Sequence, residues 1–418
     1  MTVLLQLLLL SISGLVTIPA LIFFVEVTAS IVAPREPVWR TKTSLPPRIA
    51  VIVPARDESA GLPDTLANIQ AQLPRTARLV VVADNCSDDT AAIAAAAGAE
   101  VVERHDLAKI GKGYALDCGL RHLASDPPEV VIIVDADCKL GSHALDRLAS
   151  TCASTGRPVQ AAYLMAAPDQ SCVDHRVATF AFRIKNLVRP LGLRALNLPC
   201  QLMGTGMAFP WRVISAVAVA SEQEVEDLQL GLDLTRAGHP PLFFPLAAVN
   251  SQFPAFAAGA GVQRRRWERG HIRLIATQLP RLLHEALRKR NFALLVLACD
   301  AAIPPLTLLG LMVSSTFALA ALGAAFGMGA PALVVGTASL SLYLCATLMC
   351  WWKFGRDLLP IGSVRSVVAY IAGKLPLYRH VLFRERQAQW IRTGREQLRD
   401  GAETFPNSLR APQGRARQ

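Results

Sequence analysis

The chain has 418 residues, 52% of them hydrophobic, with a mean hydropathy of +0.34 and 43 Lys and Arg against 32 Asp and Glu. That balance points to a membrane protein with a basic surface turned to lipid or phosphate, rather than to a nucleic-acid partner; neither aromatic-basic interleaving nor zinc-finger spacing is present. The 9 Cys are scattered with no C-x-x-C pair, which excludes a disulfide frame or a cysteine metal site.

In chain order, residues 3–32 are almost wholly apolar, a run longer than the roughly 20 residues that cross a bilayer. No basic residue precedes the run, so it reads as a retained anchor and not a signal peptide. Glu26 is the acid inside it, suited to an interface or to a neighbouring helix. Arg35, Arg40, Lys42 and Arg48 follow, and by the positive-inside rule the chain beyond them is cytoplasmic, at a plasma (inner) membrane.

Past Arg48 the composition turns to that of a soluble domain. Strand patterns at 49–53, 79–83, 100–102 and 130–134 alternate with helical patterns at 62–72, 88–97 and 113–124. Such alternation predicts an α/β domain with a mainly parallel sheet and helices on both faces. Acids cluster just past the strand ends, in Asp57-Glu58, in Asp84 to Asp89 and in Asp135-Ala136-Asp137.

The run from Val130 to Val134 is apolar at every position, as in a strand buried on both faces. Because side chains alternate along an extended chain, Asp135 and Asp137 aim two carboxylates the same way beyond the strand's end. Open α/β sheets bind ligands at that edge, and carboxylates there suit Mg²⁺ carrying a phosphate; an acidic helix cap is the plainer reading. No G-x-G-x-x-G follows the first strand, and Lys112 in Ile110-Gly111-Lys112-Gly113 lacks the Walker spacing. Dinucleotide and P-loop chemistry fit poorly, whereas a nucleotide diphosphate read by carboxylates, metal and Lys fits well.

Further on, Glu222 to Asp227 stand ahead of a helix, where acids favour the helix dipole. The stretch Gly204-Thr205-Gly206 is a strand-edge turn or an acceptor-side loop. Residues 173–191 make a basic helical stretch to which no role attaches. The run Gln263-Arg264-Arg265-Arg266-Trp267 sets planar guanidinium donor forks beside a flat apolar indole face. Arg269, Arg273, Arg281 and Arg288 also allow a basic membrane-surface helix.

Taken together, these residues resemble the membrane-bound family 2 glycosyltransferases, whose GT-A nucleotide-sugar domain is that of cellulose, chitin and hyaluronan synthases. The family's Pro-x-x-Asn-Glu is similar to Pro54 to Glu58, with Asp57 in the Asn place. Its base-contacting acid matches Asp84, its helix-start lysine Lys112, its metal-binding Asp-x-Asp matches Asp135 and Asp137, and its Q-x-x-R-W matches Gln263, Arg266 and Trp267. Its Thr-Glu-Asp appears as Val225-Glu226-Asp227. The resemblance implies that Glu58, Asp84, Lys112 and Asp135 bind the nucleotide and donor and that Asp135 and Asp137 hold Mg²⁺ or Mn²⁺. It also implies Asp227 as general base, with Gln263, Arg266 and Trp267 at the diphosphate and acceptor.

The organisation expected is an anchor at 1–33, a GT-A domain at 48–250, interfacial helices at 251–290, transmembrane helices at 291–355, and an interfacial segment with a polar tail at 356–418. Residues 294–328, broken by Pro304-Pro305, read as a kinked start and one crossing, and 331–352 as another. The function expected is metal-dependent, inverting transfer of a sugar from a nucleotide sugar, UDP-sugars first, to a saccharide or lipid-linked acceptor. Single transfer to a membrane lipid and a non-catalytic nucleotide-sugar-binding subunit are the alternatives.

Overall fold

A computed structural model describes residues 2–32, 46–166, 173–221, 225–253, 257–328 and 330–363, with 257–266 described as helical backbone alone. The strands are β1 (Ile49–Ala55), β2 (Arg78–Asp84), β3 (Glu100–Arg104), β4 (Val130–Ile133), β5 (Lys139–Leu140), β6 (Val159–Ala166), β7 (Met207–Pro210) and β8 (Leu242–Gln252). They form one sheet in the order β3-β2-β1-β4-β7-β6-β8-β5.

From β3 to β4 the strands are parallel. Alternate residues serve opposite faces: Val51, Val53 and Ile132 pack with Leu62 and Leu66 of helix Leu62–Gln70, while Ile52, Val82 and Ile133 pack with Leu116 and Leu120 of helix Lys112–Leu123. Burial on both faces is why these strands carry no polar alternation.

The sheet is mainly parallel, as expected, and beyond β4 it becomes mixed. Strand β7 runs antiparallel to β4 and β6, and β5 antiparallel to β8, leaving only β6 and β8 parallel there. The pairing is between segments distant in sequence and needs no helix crossover, so no local pattern announces it. Along β8 the register shifts opposite Ala161 and Ala162, and Pro245, which cannot donate to a ladder, lies in that irregularity.

Among the described residues, three helices are long and apolar enough to cross a membrane: Val3–Val32, Leu306–Ala325 and Pro331–Phe354. The interrupted stretch 294–328 resolves into helix Phe292–Ala301 and helix Leu306–Ala325, parted by the turn that holds Pro304 and Pro305. Of the expected interfacial segment and polar tail, residues 364–418 lie outside the described residues, as do Arg35, Arg40 and Lys42.

A helix that follows β6 joins the sheet to these apolar helices. It runs as Val173–Arg183, widens to a π turn at Ile184–Val188 and ends as Arg189–Ala195. Arg189, 7% exposed, donates from Nε to Glu26 Oε2 at 2.8 Å and from Nη2 to the Asp300 carbonyl at 2.7 Å, and it ion-pairs with the Asp300 carboxylate. One guanidinium thus ties the first apolar helix, the catalytic-side helix and helix Phe292–Ala301. Glu26 faces a neighbouring helix, one of the two placements its sequence position allowed. Gly192 lets the first helix come close, since a Cβ there would lie 1.9 Å from the Glu26 carbonyl oxygen.

Two further contacts fix the junction. Arg183 Nη1 donates to the Phe354 carbonyl at 2.7 Å and pairs with Asp357, and His271 Nε2 donates to the Ala301 carbonyl at 2.9 Å. Burial drives the His271 imidazole down to about 4, so it stays neutral at physiological pH.

Arg189→Met should destabilise the solubilised protein by about 3–5 kcal/mol in thermal unfolding, because it leaves two buried acids without a counter-ion. The triple change Glu26→Gln, Arg189→Met, Asp300→Asn should recover most of that loss. For His271 the unfolded state binds a proton at higher pH than the folded state, so stability is lost as pH falls from about 6.5 to about 4. Thermal melts across that window should show the loss in the wild type and a flatter dependence in His271→Asn.

Candidate active site

Past the end of β4 burial alternates into a turn closed by the Cys138 N–H on the Asp135 carbonyl at 3.1 Å. Val134, Ala136 and Cys138 are buried, whereas Asp135 and Asp137 are half-exposed on the other side. The Ala136 carbonyl accepts from Thr65 Oγ1 at 2.8 Å, and the Asp137 carbonyl from Ser251 Oγ of β8 at 3.2 Å. Both acids therefore stand on a turn held from two directions.

Because β7 is antiparallel to β4, the chain enters β7 where β4 leaves the sheet, with Ile133 opposite Met207. That brings Gly204-Thr205-Gly206 against Asp135. The Thr205 hydroxyl accepts from the Asp135 N–H at 3.0 Å, and the Gly206 N–H donates to the Ile133 carbonyl at 2.9 Å. Buried Gln160 of β6 supports the loop, donating to the Thr205 carbonyl at 2.9 Å and accepting from the Met203 N–H at 2.8 Å. Gly206 has φ +64, and a Cβ there would lie 2.5 Å from Val249 Cγ2.

Lys112 opens its helix beside Gly113, where a Cβ would meet the Val219 carbonyl oxygen at 2.7 Å; the close approach that flanking glycines permit is realised. Its ammonium ion-pairs with Asp135 and donates to the Gly204 carbonyl at 2.7 Å. Burial alone would lower its pKa, but Asp135 and Glu226 outweigh that and raise it.

Opposite lies helix Glu226–Arg236, whose Asp227 accepts through Oδ1 from the Leu228 N–H at 2.8 Å. A Cβ on Gly204 would lie 3.4 Å from Asp227 Oδ2 and 3.5 Å from Lys112 Nζ, so acid and ammonium converge on that glycine. Burial raises Asp227, against the pull of Lys185, the Leu228 N–H and Lys112; burial and the Asp227 charge raise Glu226. Glu222 and Glu224 lie outside the described residues.

The remaining acids of the rim are already engaged. Asp84, 3% exposed at the end of β2, pairs with Arg104 Nη1 at 2.5 Å, and Arg104 also lies over the Tyr114 ring at 5.4 Å. Burial still raises Asp84. Glu58 is half-buried and donates its N–H to Thr90 Oγ1 at 2.9 Å. Asp57 holds the Ser87 N–H at 2.7 Å from a backbone with φ 51. Asp88, despite some burial, is held down to about 2 by hydrogen bonds from Thr90 and Ser59.

Two groupings place three potential ligand atoms within 4.8 Å of one another: Asp57, Cys86 and Asp88, and Asp135, Asp137 and Cys138. In the first, both acids already accept backbone N–H groups, Asp57 from Ser87 and Asp88 from Ser59 and Thr90. In the second, burial raises the Cys138 thiol, so it stays protonated, and the donors are the carboxylate oxygens of Asp135 and Asp137. Hard oxygen donors of this kind fit Mg²⁺ or Mn²⁺.

Trp267, in helix Ala257–Thr277, packs at 6.1 Å on Phe182, which meets Tyr163 at 5.2 Å and Phe253 at 5.9 Å. Gln263 and Arg266 lie on the same helix, and their side chains are outside the described residues. The sequence reading passed over Gln160, Arg104, Tyr163 and Lys185. Only Gln160 had a signal, as a lone amide in an apolar strand.

The sequence model described as "Glycosyltransferase like family 2" matches residues 46–270. The chain is 36% identical over 105 residues to a 4,4'-diaponeurosporenoate glycosyltransferase of Staphylococcus haemolyticus, a match covering 24% of this chain and 27% of that protein. It is 36% identical over 100 residues to an uncharacterized glycosyltransferase of Mycobacterium tuberculosis, covering 24% and 41%. The match thus spans less than half the length of either relative. In structure it is similar to the mannosyltransferase PcManGT from Pyrobaculum calidifontis, in complex with GDP-Man and Mn²⁺, with a TM-score of 0.51 over 83% of this chain and 99% of that one, at 18% identity. With the family's model matched over more than half of the 418 residues, on a mixed sheet that carries the acids at one rim, the chain belongs to the glycosyltransferase like family 2.

Proposed function

We propose that the chain transfers a sugar, with inversion, from a nucleotide-diphosphate sugar to an acceptor at the cytoplasmic face of a membrane. The observation that carries this reading is the convergence of Lys112, paired with Asp135, and of Asp227 on Gly204. It supplies a place for the donor's diphosphate next to a place for a base. Binding of GDP-Man and Mn²⁺ by PcManGT agrees with a nucleotide sugar and a divalent cation as ligands.

In this account Asp84 and Glu58 line the nucleoside end, while Lys112 approaches the diphosphate as a point charge once it leaves Asp135. Asp135 and Asp137 would hold Mg²⁺ or Mn²⁺, which would supply positive charge to stabilise the leaving diphosphate. Asp227 takes the proton of the acceptor hydroxyl as that oxygen bonds to the anomeric carbon. The bond from that carbon to the diphosphate breaks on the opposite face, and the nucleoside diphosphate departs with the electron pair. Trp267 and Arg266 belong to the acceptor and diphosphate side. Transfer of one sugar to a membrane lipid is the second reading, favoured by the modest set of candidate spans, which is thin for a polymer channel.

Release of nucleoside diphosphate by the purified protein, across UDP- and GDP-sugars with Mg²⁺ or Mn²⁺, tests the reading. Asp227→Asn should lower turnover by about 10²–10⁴ while still binding donor. An Asp227→Asn protein that turns over at the wild-type rate contradicts the base assignment, and a folded wild type that binds nucleotide yet never releases diphosphate favours a binding subunit. Because Asp227 must be ionised and burial raises it, kcat/KM should fall on acidification already above the ordinary aspartate range. A profile flat down to pH 4 would place the base elsewhere.

A further inference from the structure

We propose that Lys185 is a specificity-determining residue that receives a negatively charged headgroup, phosphate or carboxylate, of a membrane-borne acceptor. The inference rests on the transferase reading above and names the chemistry of its acceptor. From Val177 to Leu193 the helix is embedded between the sheet and the apolar helices, and within that stretch Lys185 is the exposed residue. Arg183, Ile184, Asn186, Leu187, Val188 and Arg189 around it are all buried. The opening therefore lies inside the junction.

The wide turn explains the placement. A π turn offsets the helical register at Ile184–Val188, so Lys185 leaves the packed faces that its neighbours fill. Its ammonium makes no hydrogen bond or ion pair among the described residues. On the same turn Asn186, 3% exposed, has an Oδ1 that accepts no hydrogen bond there. With Asp227 and Asp300 acting on it only at a distance, the ammonium has donors that a bound anion would satisfy.

The charges that act on Lys185 fix its side of the site. They are Asp227, Arg189 and Asp300, and Lys185 in turn acts on His271. Those acting on Lys112 are Asp135, Glu226 and Asp227. Asp227 is the group common to both lysines. Lys112 belongs to the metal and donor side, and Lys185 to the side bounded by Arg189, Asp300 and His271, where the apolar helices begin. An anion there sits across the base from the diphosphate, and a lipid is the molecule that reaches it from the bilayer.

The test is binding of decyl phosphate, decanoate and decanol to the full-length protein in neutral maltoside micelles. The wild type should bind one or both anions at least about tenfold more tightly than decanol; which anion wins distinguishes phosphate from carboxylate. Lys185→Met should lose about tenfold for the preferred anion, Lys185→Arg should keep most of it, and both should bind nucleotide sugar as the wild type does. Equal binding of decanol and anions by the wild type, or undiminished anion binding by Lys185→Met, overturns the proposal. So does a tenfold loss in Arg281→Gln/Arg288→Gln, which would put the anion on the exposed basic helix. Donor turnover without Lys185-dependent anion binding leaves the transferase reading standing and removes this one. Lys185-dependent binding without any turnover does the reverse.

Discussion

The Arg189 guanidinium, enclosed between Glu26 and Asp300, is the contact on which the relation of the catalytic sheet to the apolar helices depends. A buried ion pair contributes little net stability, but removing one partner strands the others, so the arrangement is enforced more than it is strengthened. The helix that carries Arg189 also carries Lys185 and Arg183, and Gly192 brings it against the first apolar helix. Sheet rim and apolar helices are thereby held in one frame.

A second constraint acts inside the sheet. Reversal of strand direction between β4 and β7 places the start of one strand at the end of the other. The turn Gly204-Thr205-Gly206 is therefore delivered to Asp135, and with it the floor on which Lys112 and Asp227 meet. Glycine at 204 and 206 supplies positive φ, and the missing side chains leave room for Asp227, Lys112 and Val249. The Lys112 to Asp135 pair keeps the carboxylate neutralised.

The parallel half of the sheet was legible because its residues are buried on both faces and speak through local pattern alone. The direction of Asp135 and Asp137 followed from alternation, and Glu226 with Asp227 at a helix start followed from charge. The antiparallel pairings were not legible, since β4 to β7 and β5 to β8 join distant segments. Nor was the π turn at Lys185, because its register is set by packing against two layers and leaves no mark in residue type. Asp84 shows the limit within a correct element: its place at the end of β2 was readable, but its pairing with Arg104 depends on the parallel register of β2 and β3.

The account stands or falls on a cation and a nucleotide diphosphate sharing the Asp135 and Asp137 carboxylates beside Lys112. The most direct measurement is Mn²⁺ binding to the purified protein followed by electron paramagnetic resonance, with and without UDP or GDP. The account predicts Mn²⁺ binding that tightens when a nucleoside diphosphate is added and is lost in Asp137→Asn while the fold is retained. Mn²⁺ binding unchanged in Asp137→Asn, or indifferent to both nucleotides, would contradict it.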